Sequence, residues 1–352
     1  MSIAHNSLSD LGWNHFFDSQ FSLEEREHYF AARVMAVHRG EFEVSSPDFT
    51  AQISSFIEGA TRSEEYATVG DWVLINKETQ VPHRVLERKS LFKRRAAGKE
   101  NKTQLIAANV DIVFIMTACN GDFNLARLER YLVLAHEAGA TPVVVLTKID
   151  LGDDVEDLID LARSLEPDIL VEAINTKIPE DAAPLLEWCK KGQTIALMGS
   201  SGVGKSTLVN TLSGSEEAFT QGNRKGDSKG RHTTTHRELH KLHTGAWLID
   251  TPGMRELQLT DAAEGIEDLF EDIEEYAASC KFNDCAHEGE PGCGIVRGLE
   301  EGDIGEMRLV RWKKLKAEEM LNTLSNGDKR RNAKTFSKKI KSALNAKKRL
   351  GK

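Results

Sequence analysis

The chain has 352 residues, with 46 Lys and Arg against 55 Asp and Glu and a formal net charge of −9, a balance that, taken whole, argues against a surface built for polyanions. The sum hides an asymmetry: residues 325–352 carry 11 basic side chains against Asp328 alone, a charge of +10 that leaves −19 on residues 1–324. Apolar runs such as Ile112 to Met116 are too short to span a membrane, Met1 to Asp10 lacks a signal-peptide layout, and three of five cysteines crowd between 280 and 293, so the expectation is a soluble, monomeric cytoplasmic protein with a metal cluster and no membrane role.

In chain order, residues 1–30 form an N-terminal extension with an aromatic-rich segment, Leu11 to Phe21, and a helical stretch, Leu23 to Tyr29. Residues 31–98 turn to short β-type runs at Ala32 to Val37, Glu41 to Val44, Ala51 to Phe56, Asp71 to Ile75 and Arg84 to Glu87. Five short strands in some sixty residues suit a small OB-like β-barrel. A basic stretch from Arg88 to Lys102 reads as a linker or a solvated face.

Residues 99–258 alternate strands and helices: strand Ile112 to Met116, helix Leu125 to Ala138, strand Pro142 to Leu146, helix Val155 to Leu165, strand Thr194 to Met198, helix Lys205 to Leu212 and strand Ala246 to Ile249. Apolar strands alternating with helices imply a parallel sheet covered on both faces, with ligands at the carboxyl ends of the strands.

Three motifs sit at such ends. Gly199-Ser200-Ser201-Gly202-Val203-Gly204-Lys205-Ser206 fits the phosphate-binding pattern G-x-x-x-x-G-K-[ST]. Its glycines let backbone N–H groups face a phosphate, Lys205 reaches the β- and γ-phosphates, and the Ser206 hydroxyl ligates Mg²⁺. Thr147-Lys148-Ile149-Asp150 has the form of the guanine-recognition motif, in which a carboxylate accepts two donors that adenine does not present. Asp250-Thr251-Pro252-Gly253 has the form of the D-x-x-G switch, with Asp250 on the Mg²⁺ side and the Gly253 N–H toward the γ-phosphate. Between them, Gly230-Arg231-His232-Thr233-Thr234-Thr235 offers Thr234 as a second Mg²⁺ ligand, with Thr233 and Thr235 as its alternatives. The guanine motif precedes the phosphate loop, an order that implies a circularly permuted GTPase domain.

Residues 259–324 contain Cys280-x₄-Cys285-x-His287-x₅-Cys293 and then a helical run, Ile304 to Leu324. Three thiolates and an imidazole complete a structural zinc site with no open position. Cys119 and Cys189 read as buried thiols. The basic tail, 325–352, spaces Phe336, Ile340 and Leu344 as a narrow stripe on a cationic helix, suited first to nucleic-acid phosphates and second to a membrane surface.

From about residue 31 to 324 this combination resembles the RsgA/YjeQ family of small-ribosomal-subunit biogenesis GTPases. The resemblance implies GTP hydrolysis to GDP and phosphate stimulated by the small subunit, a role in late maturation of the particle, and release driven by hydrolysis. It also implies contacts of the barrel and zinc modules with ribosomal RNA and proteins. The family's nucleotide contacts carry over to Thr147–Asp150, Gly199–Thr207 and Asp250–Gly253, its zinc ligands to Cys280, Cys285, His287 and Cys293, and its proposed catalytic histidine to His232. Two departures stand out. The base-contacting S-A loop has only poor counterparts, Glu172-Ala173 or Asn175-Thr176. Met254 occupies the place where many GTPases put a water-orienting Gln, so intrinsic turnover should be slow. The alternative readings are an RNA- or ribosome-binding module that uses GTP only as an occupancy switch, and an ATP-using P-loop enzyme.

Overall fold

In the computed structural model, which describes residues 7–57, 59–62, 65–95, 103–152, 154–214, 237–250 and 262–323, Tyr29–Val37 (β1) is the strand on which the N-terminal region is built. Two short helices precede it, His15–Asp18 (α1) and Leu23–His28 (α2). The Ser22 hydroxyl accepts the Glu25 N–H at 3.2 Å and the Glu25 carboxylate accepts the Ser22 N–H at 3.0 Å, so α2 starts on a reciprocal capping box.

Strand β1 pairs antiparallel with Glu41–Ser46 (β2), which pairs with Phe49–Ser54 (β3). It also pairs with Trp72–Asn76 (β4), and β4 with Pro82–Val85 (β5). Ala32, Val34, Phe42, Val44, Val73 and Ile75 form the core between them. All five expected strands are there, within a few residues of their expected positions. No β3–β5 pairing closes them into a barrel among the described residues.

The aromatic segment before α2 is packed in. Trp13 meets Trp72 edge-on at 4.8 Å between ring centroids, and Phe17 lies 5.8 Å from the same ring. Beneath them Arg33 is fully buried, its guanidinium donating to the Leu11 carbonyl and, at 2.5 Å, to the Thr194 hydroxyl. Burial pushes Arg33 down to about 10, with Asp111 and Asp71 pulling the other way, so it stays charged at neutral pH.

The basic stretch after β5 is not a linker over its described part. Arg88 forms two hydrogen bonds to the buried Asp71 carboxylate, 2.8 and 2.9 Å long. Leu91–Arg95 (β6) then pairs with Thr103–Ala108 (β7). A Lys/Arg-rich composition suggested solvation, but Phe92 is buried and Arg88 has a carboxylate to satisfy.

The α/β part runs Ile112–Ala118 (β8), Leu125–Glu137 (α3), Thr141–Thr147 (β9), Val155–Arg163 (α4), Leu170–Ile174 (β10), Ala183–Leu186 (α5), Thr194–Gly199 (β11), Lys205–Ser213 (α6), Arg237–Lys241 (β12) and Trp247–Asp250 (β13). The strands lie in the order β10-β9-β8-β11-β13-β12. The first five are parallel, and β12 is antiparallel to β13. Every residue of β8 is buried, as a strand covered on both faces requires. Strand β12 continues into the N-terminal sheet through Ala36↔Glu238. Trp247 adds a second tie by donating its indole N–H to the Asp10 carbonyl at 2.8 Å.

Residues 1–94, 103–257 and 264–271 form one compact unit; 95–102, 258–263 and the chain from Asp272 onward form another. Ala263–Leu269 (α7) and Glu271–Ala278 (α8) lead into the latter, which continues with Gly294–Glu301 (α9) and Glu306–Thr323 (α10). Arg308 on α10 grips both carboxylate oxygens of Asp272 at 2.9 Å, and Trp312 donates to Glu274 at 2.8 Å. No described helix is long and apolar enough to cross a membrane.

Candidate functional site

The carboxyl ends of β9, β10, β11 and β13 lie along one edge of the parallel sheet, and the sequence motifs sit there. Gly199 closes β11, residues 200–204 form the loop, and Lys205, Ser206 and Thr207 make the first turn of α6. The glycines are structural necessities at two positions. At Gly199, φ is +149° and a Cβ would stand 2.5 Å from the Met116 carbonyl oxygen of the neighbouring strand. At Gly204, φ is +103° and a Cβ would press on Thr176. The N–H groups of the first turn of α6 have no acceptor within the helix and point into the loop, as an anion site needs. The largely buried Lys205 ammonium donates to the Gly199 carbonyl at 2.6 Å and to the Ser200 carbonyl.

Thr147 ends β9. Its buried hydroxyl lies 2.6 Å from the Val203 carbonyl and 3.2 Å from the Thr117 carbonyl, so the TKID segment is fastened to the phosphate loop. Lys148 adopts the left-handed conformation, φ 56° and ψ 42°, and Ile149–Leu151 makes a single 3-10 turn. This turn carries Asp150, whose carboxylate lies 3.5 Å from the Lys177 ammonium.

That ammonium belongs to a loop the motifs did not single out. Asn175-Thr176-Lys177 follows β10 directly, and Ile174 pairs with Thr147 in the sheet. The loop is tied down: the Asn175 N–H donates to Asp181, the Lys177 N–H to the Asn175 side chain, and the Thr211 hydroxyl to the Thr176 carbonyl. Of the two poor counterparts of the S-A loop, Asn175-Thr176 is therefore the pair beside Asp150, whereas Glu172-Ala173 lies within β10. A second residue outside the motifs is Asp122, in the turn after β8, which accepts the Ser200 hydroxyl at 2.7 Å. Neither contact has a spacing signature, since each joins segments far apart in sequence.

Asp250 is the last residue of β13, opposite Glu238 of β12 and on the strand next to β11. Gly253, His232 and Thr234 lie outside the described residues.

In the C-terminal unit, Cys280, Cys285, His287 and Cys293 turn one ligand atom each toward a common centre, all within 4.8 Å of one another. Cys280 Sγ lies 3.5 Å from His287 Nδ1, Cys293 Sγ lies 3.6 Å from the same nitrogen, and the two sulfurs are 4.0 Å apart. A tetrahedral ion with metal–sulfur bonds of ~2.3 Å and a metal–nitrogen bond of ~2.0 Å sets its ligands about 3.8 Å apart for sulfur pairs and about 3.5 Å for sulfur and nitrogen. The donor set fits a metal ion of that kind. The backbone supports it: His287 takes φ 58°, and the Gly294 N–H at the start of α9 donates to Cys280 Sγ at 3.2 Å. Burial, reinforced by the neighbouring thiols, pushes Cys285 up to about 12; a divalent cation at the centre reverses that preference.

Residues 85–260 match the family model described as RsgA GTPase. A model described as ABC transporter matches 187–339, which includes the phosphate loop but not the TKID segment. A Vibrio parahaemolyticus protein named small ribosomal subunit biogenesis GTPase RsgA 2 is 43% identical over 98% of this chain and 94% of its own length. A Mesorhizobium japonicum protein named small ribosomal subunit biogenesis GTPase RsgA is 47% identical over 90% of this chain and 91% of its own. Among solved structures, YjeQ from Thermotoga maritima aligns with a TM-score of 0.58 at 26% identity, over 82% of this chain and 97% of that one. YloQ, described as a circularly permuted GTPase, aligns with a TM-score of 0.56 at 24% identity, over 83% and 95% respectively.

Proposed function

This chain belongs to the RsgA GTPase family, and we propose that it hydrolyses GTP on the small ribosomal subunit, assists late maturation of that particle, and leaves it when GTP becomes GDP. The observation that carries the nucleotide half is the Thr147–Val203 hydrogen bond, which fastens the guanine-type segment to the phosphate loop. The ribosomal half rests on the names of close relatives along nearly the whole chain.

In this reading Asp150 accepts the N1–H and N2–H₂ edge of guanine, and Lys148 lies along the base. The N–H groups of residues 199–207 surround the phosphates, and Lys205 exchanges its carbonyl partners for phosphate oxygens. Ser206 and Thr234 would hold Mg²⁺, with Asp250 reaching it through water and Gly253 facing the γ-phosphate. An ion held by these residues would supply positive charge against the negative charge that develops on the phosphates. His232 orients the attacking water in place of the Gln that Met254 replaces. The Cys280, Cys285, His287 and Cys293 cluster would hold one zinc ion in a purely structural role, since four protein ligands leave no open position.

Around this centre the proposed organisation is an extension, 1–30; an OB-like RNA-binding module, 31–98; the permuted GTPase domain, 99–258; the zinc module, 259–324; and a basic tail, 325–352, held to RNA phosphates. The antiparallel β3-β2-β1-β4-β5 arrangement supports the OB reading. A ribosomal partner would put the protein in the cytoplasm, acting as a monomer.

Met254 favours one alternative, a ribosome-binding module that uses GTP as an occupancy switch, because the side chain directly after D-x-x-G cannot orient water as a Gln there does. Cosedimentation with small subunits, run with a non-hydrolysable GTP analogue, GDP and no nucleotide, tests the proposal alongside GTP turnover. Retention with the analogue, release with GDP and turnover raised by the subunit are expected. Turnover indifferent to the subunit overturns it, and stimulated turnover that survives His232→Ala removes His232 from the mechanism.

A further inference from the structure

Asp122 is not part of any nucleotide motif, yet it reaches the phosphate loop. The turn that carries it is built rigidly. The Cys119 N–H at its start donates to the Thr147 carbonyl at 2.8 Å. The Asn120 side chain accepts the Asp122 N–H at 3.1 Å, the Phe123 N–H returns to the Asn120 carbonyl at 3.1 Å, and Asn124 caps α3 by accepting the Arg127 N–H at 3.0 Å. The carboxylate is therefore held in place before it meets anything else.

Its two oxygens then divide their work. Oδ2 accepts the Ser200 hydroxyl at 2.7 Å, and Oδ1 pairs with the Arg127 guanidinium at 2.9 Å. Ser200 is gripped a second time, because its carbonyl accepts the Lys205 ammonium. One residue of the loop is thus held through its hydroxyl by Asp122 and through its carbonyl by the lysine that must reach phosphate.

From this geometry we infer that Asp122 is a positioning residue for nucleotide binding, acting through Ser200. It fixes the Ser200 peptide and so presents the loop's N–H groups before the nucleotide arrives. Ordering a glycine-rich loop during binding costs affinity, and a loop ordered beforehand avoids that cost. A carboxylate beside a phosphate site would also repel the ligand; the Arg127 pair offsets that charge while leaving Oδ2 to the serine. Asp122 touches no reacting atom in this arrangement, so its removal should weaken binding and leave the chemical step largely alone.

The inference rests on reading residues 199–207 as the phosphate loop, and the experiment separates the two. Full-length wild type, Asp122→Ala, Asp122→Asn, Ser200→Ala, the Asp122→Ala/Ser200→Ala double variant and Lys205→Ala are compared by titration with fluorescent GTP and GDP and by steady-state turnover. Asp122→Ala and Ser200→Ala should each raise Kd and KM about fivefold, with kcat within about twofold of wild type. The double variant should be no worse than either single one, because both remove the same hydrogen bond. Asp122→Asn keeps an acceptor and should bind within about twofold of wild type. Unchanged affinity in Asp122→Ala, additive losses in the double variant, or an Asn variant as weak as the Ala one overturns the inference. If Lys205→Ala binds GTP normally, the phosphate-loop reading itself fails; if it loses binding while Asp122→Ala does not, only the role of Asp122 falls.

Discussion

The Thr147 hydroxyl donates to the Val203 carbonyl at 2.6 Å, joining two residues 56 positions apart in sequence. It links the turn that carries Asp150 to the loop that carries Lys205, so in the proposed function base and phosphate recognition would share one frame. Thr147→Val keeps the shape of a fully buried side chain and removes only the hydroxyl. It leaves the Val203 carbonyl without this donor, a loss of about 1–3 kcal/mol. GTP affinity should fall about tenfold by fluorescence titration, with GDP falling by the same factor because the bond lies away from the γ-phosphate. Equal affinities in variant and wild type would mean that the two loops are registered by other contacts.

Asp150 is the predicted discriminator of the base. Asp150→Asn replaces an acceptor-only group with one that also donates, which mismatches guanine at one position and suits a base carrying a carbonyl at C2. GTP binding should weaken by at least about a hundredfold, since a site built for a polar edge rejects a ligand that cannot match it. Xanthosine triphosphate should gain in relative affinity. ATP competing as well as GTP in the wild type would contradict the assignment. The 3.5 Å approach of Lys177 predicts a smaller loss for Lys177→Ala, because that ammonium is well exposed and salt screens it.

For the cysteine cluster the expectation is one zinc ion per chain by metal analysis. Strong chelators should remove it and lower the melting temperature of the C-terminal unit. Cys285→Ser should lose the metal while leaving GTP affinity within about twofold, because the ion holds its own unit together and supplies no catalytic position. A chain that carries no zinc and melts identically with and without chelator would refute the site.

The two segments proposed to bind nucleotide and the Cys/His cluster stood out in the sequence because the chemistry proposed for them demands fixed residue types at short spacing. The strands β8, β9 and β11 were legible because each has an apolar run at its centre, almost all of it buried. What stayed hidden depends on partners distant in sequence. Arg88 looked like part of a solvated basic stretch, and only the fold brings the buried Asp71 to it. Arg33 interrupts an apolar strand where alternation puts polar side chains in water, yet residues of the N-terminal segment and of β11 cover it. Asp122 meets Ser200 across 78 positions. The aromatic segment signalled burial through Trp13 and Phe17, but nothing local could identify Trp72 as the partner.

The capping box of α2 carries a pH signature. Glu25 accepts the Arg84 guanidinium at 2.8 Å as well as the Ser22 N–H, and the Arg84 bond, ahead of the Ser22 contacts, lowers its carboxyl from 4.5 to about 2 against the opposing effect of burial. A carboxyl with a depressed folded-state pKa stabilises the fold fully above its unfolded value, and that stability disappears as pH falls through the folded value. The window is therefore about pH 4.5 down to about 2. Arg84 is partly exposed, and screening reduces the contribution to about 1 kcal/mol. Glu25→Gln keeps an acceptor for the helix cap and cannot titrate. At pH 7 it should melt about 2 °C below wild type, and the two curves should converge between pH 4.5 and 2 as the wild-type carboxylate protonates. A gap that stays constant across that range would mean that Glu25 acts through packing and not through its charge.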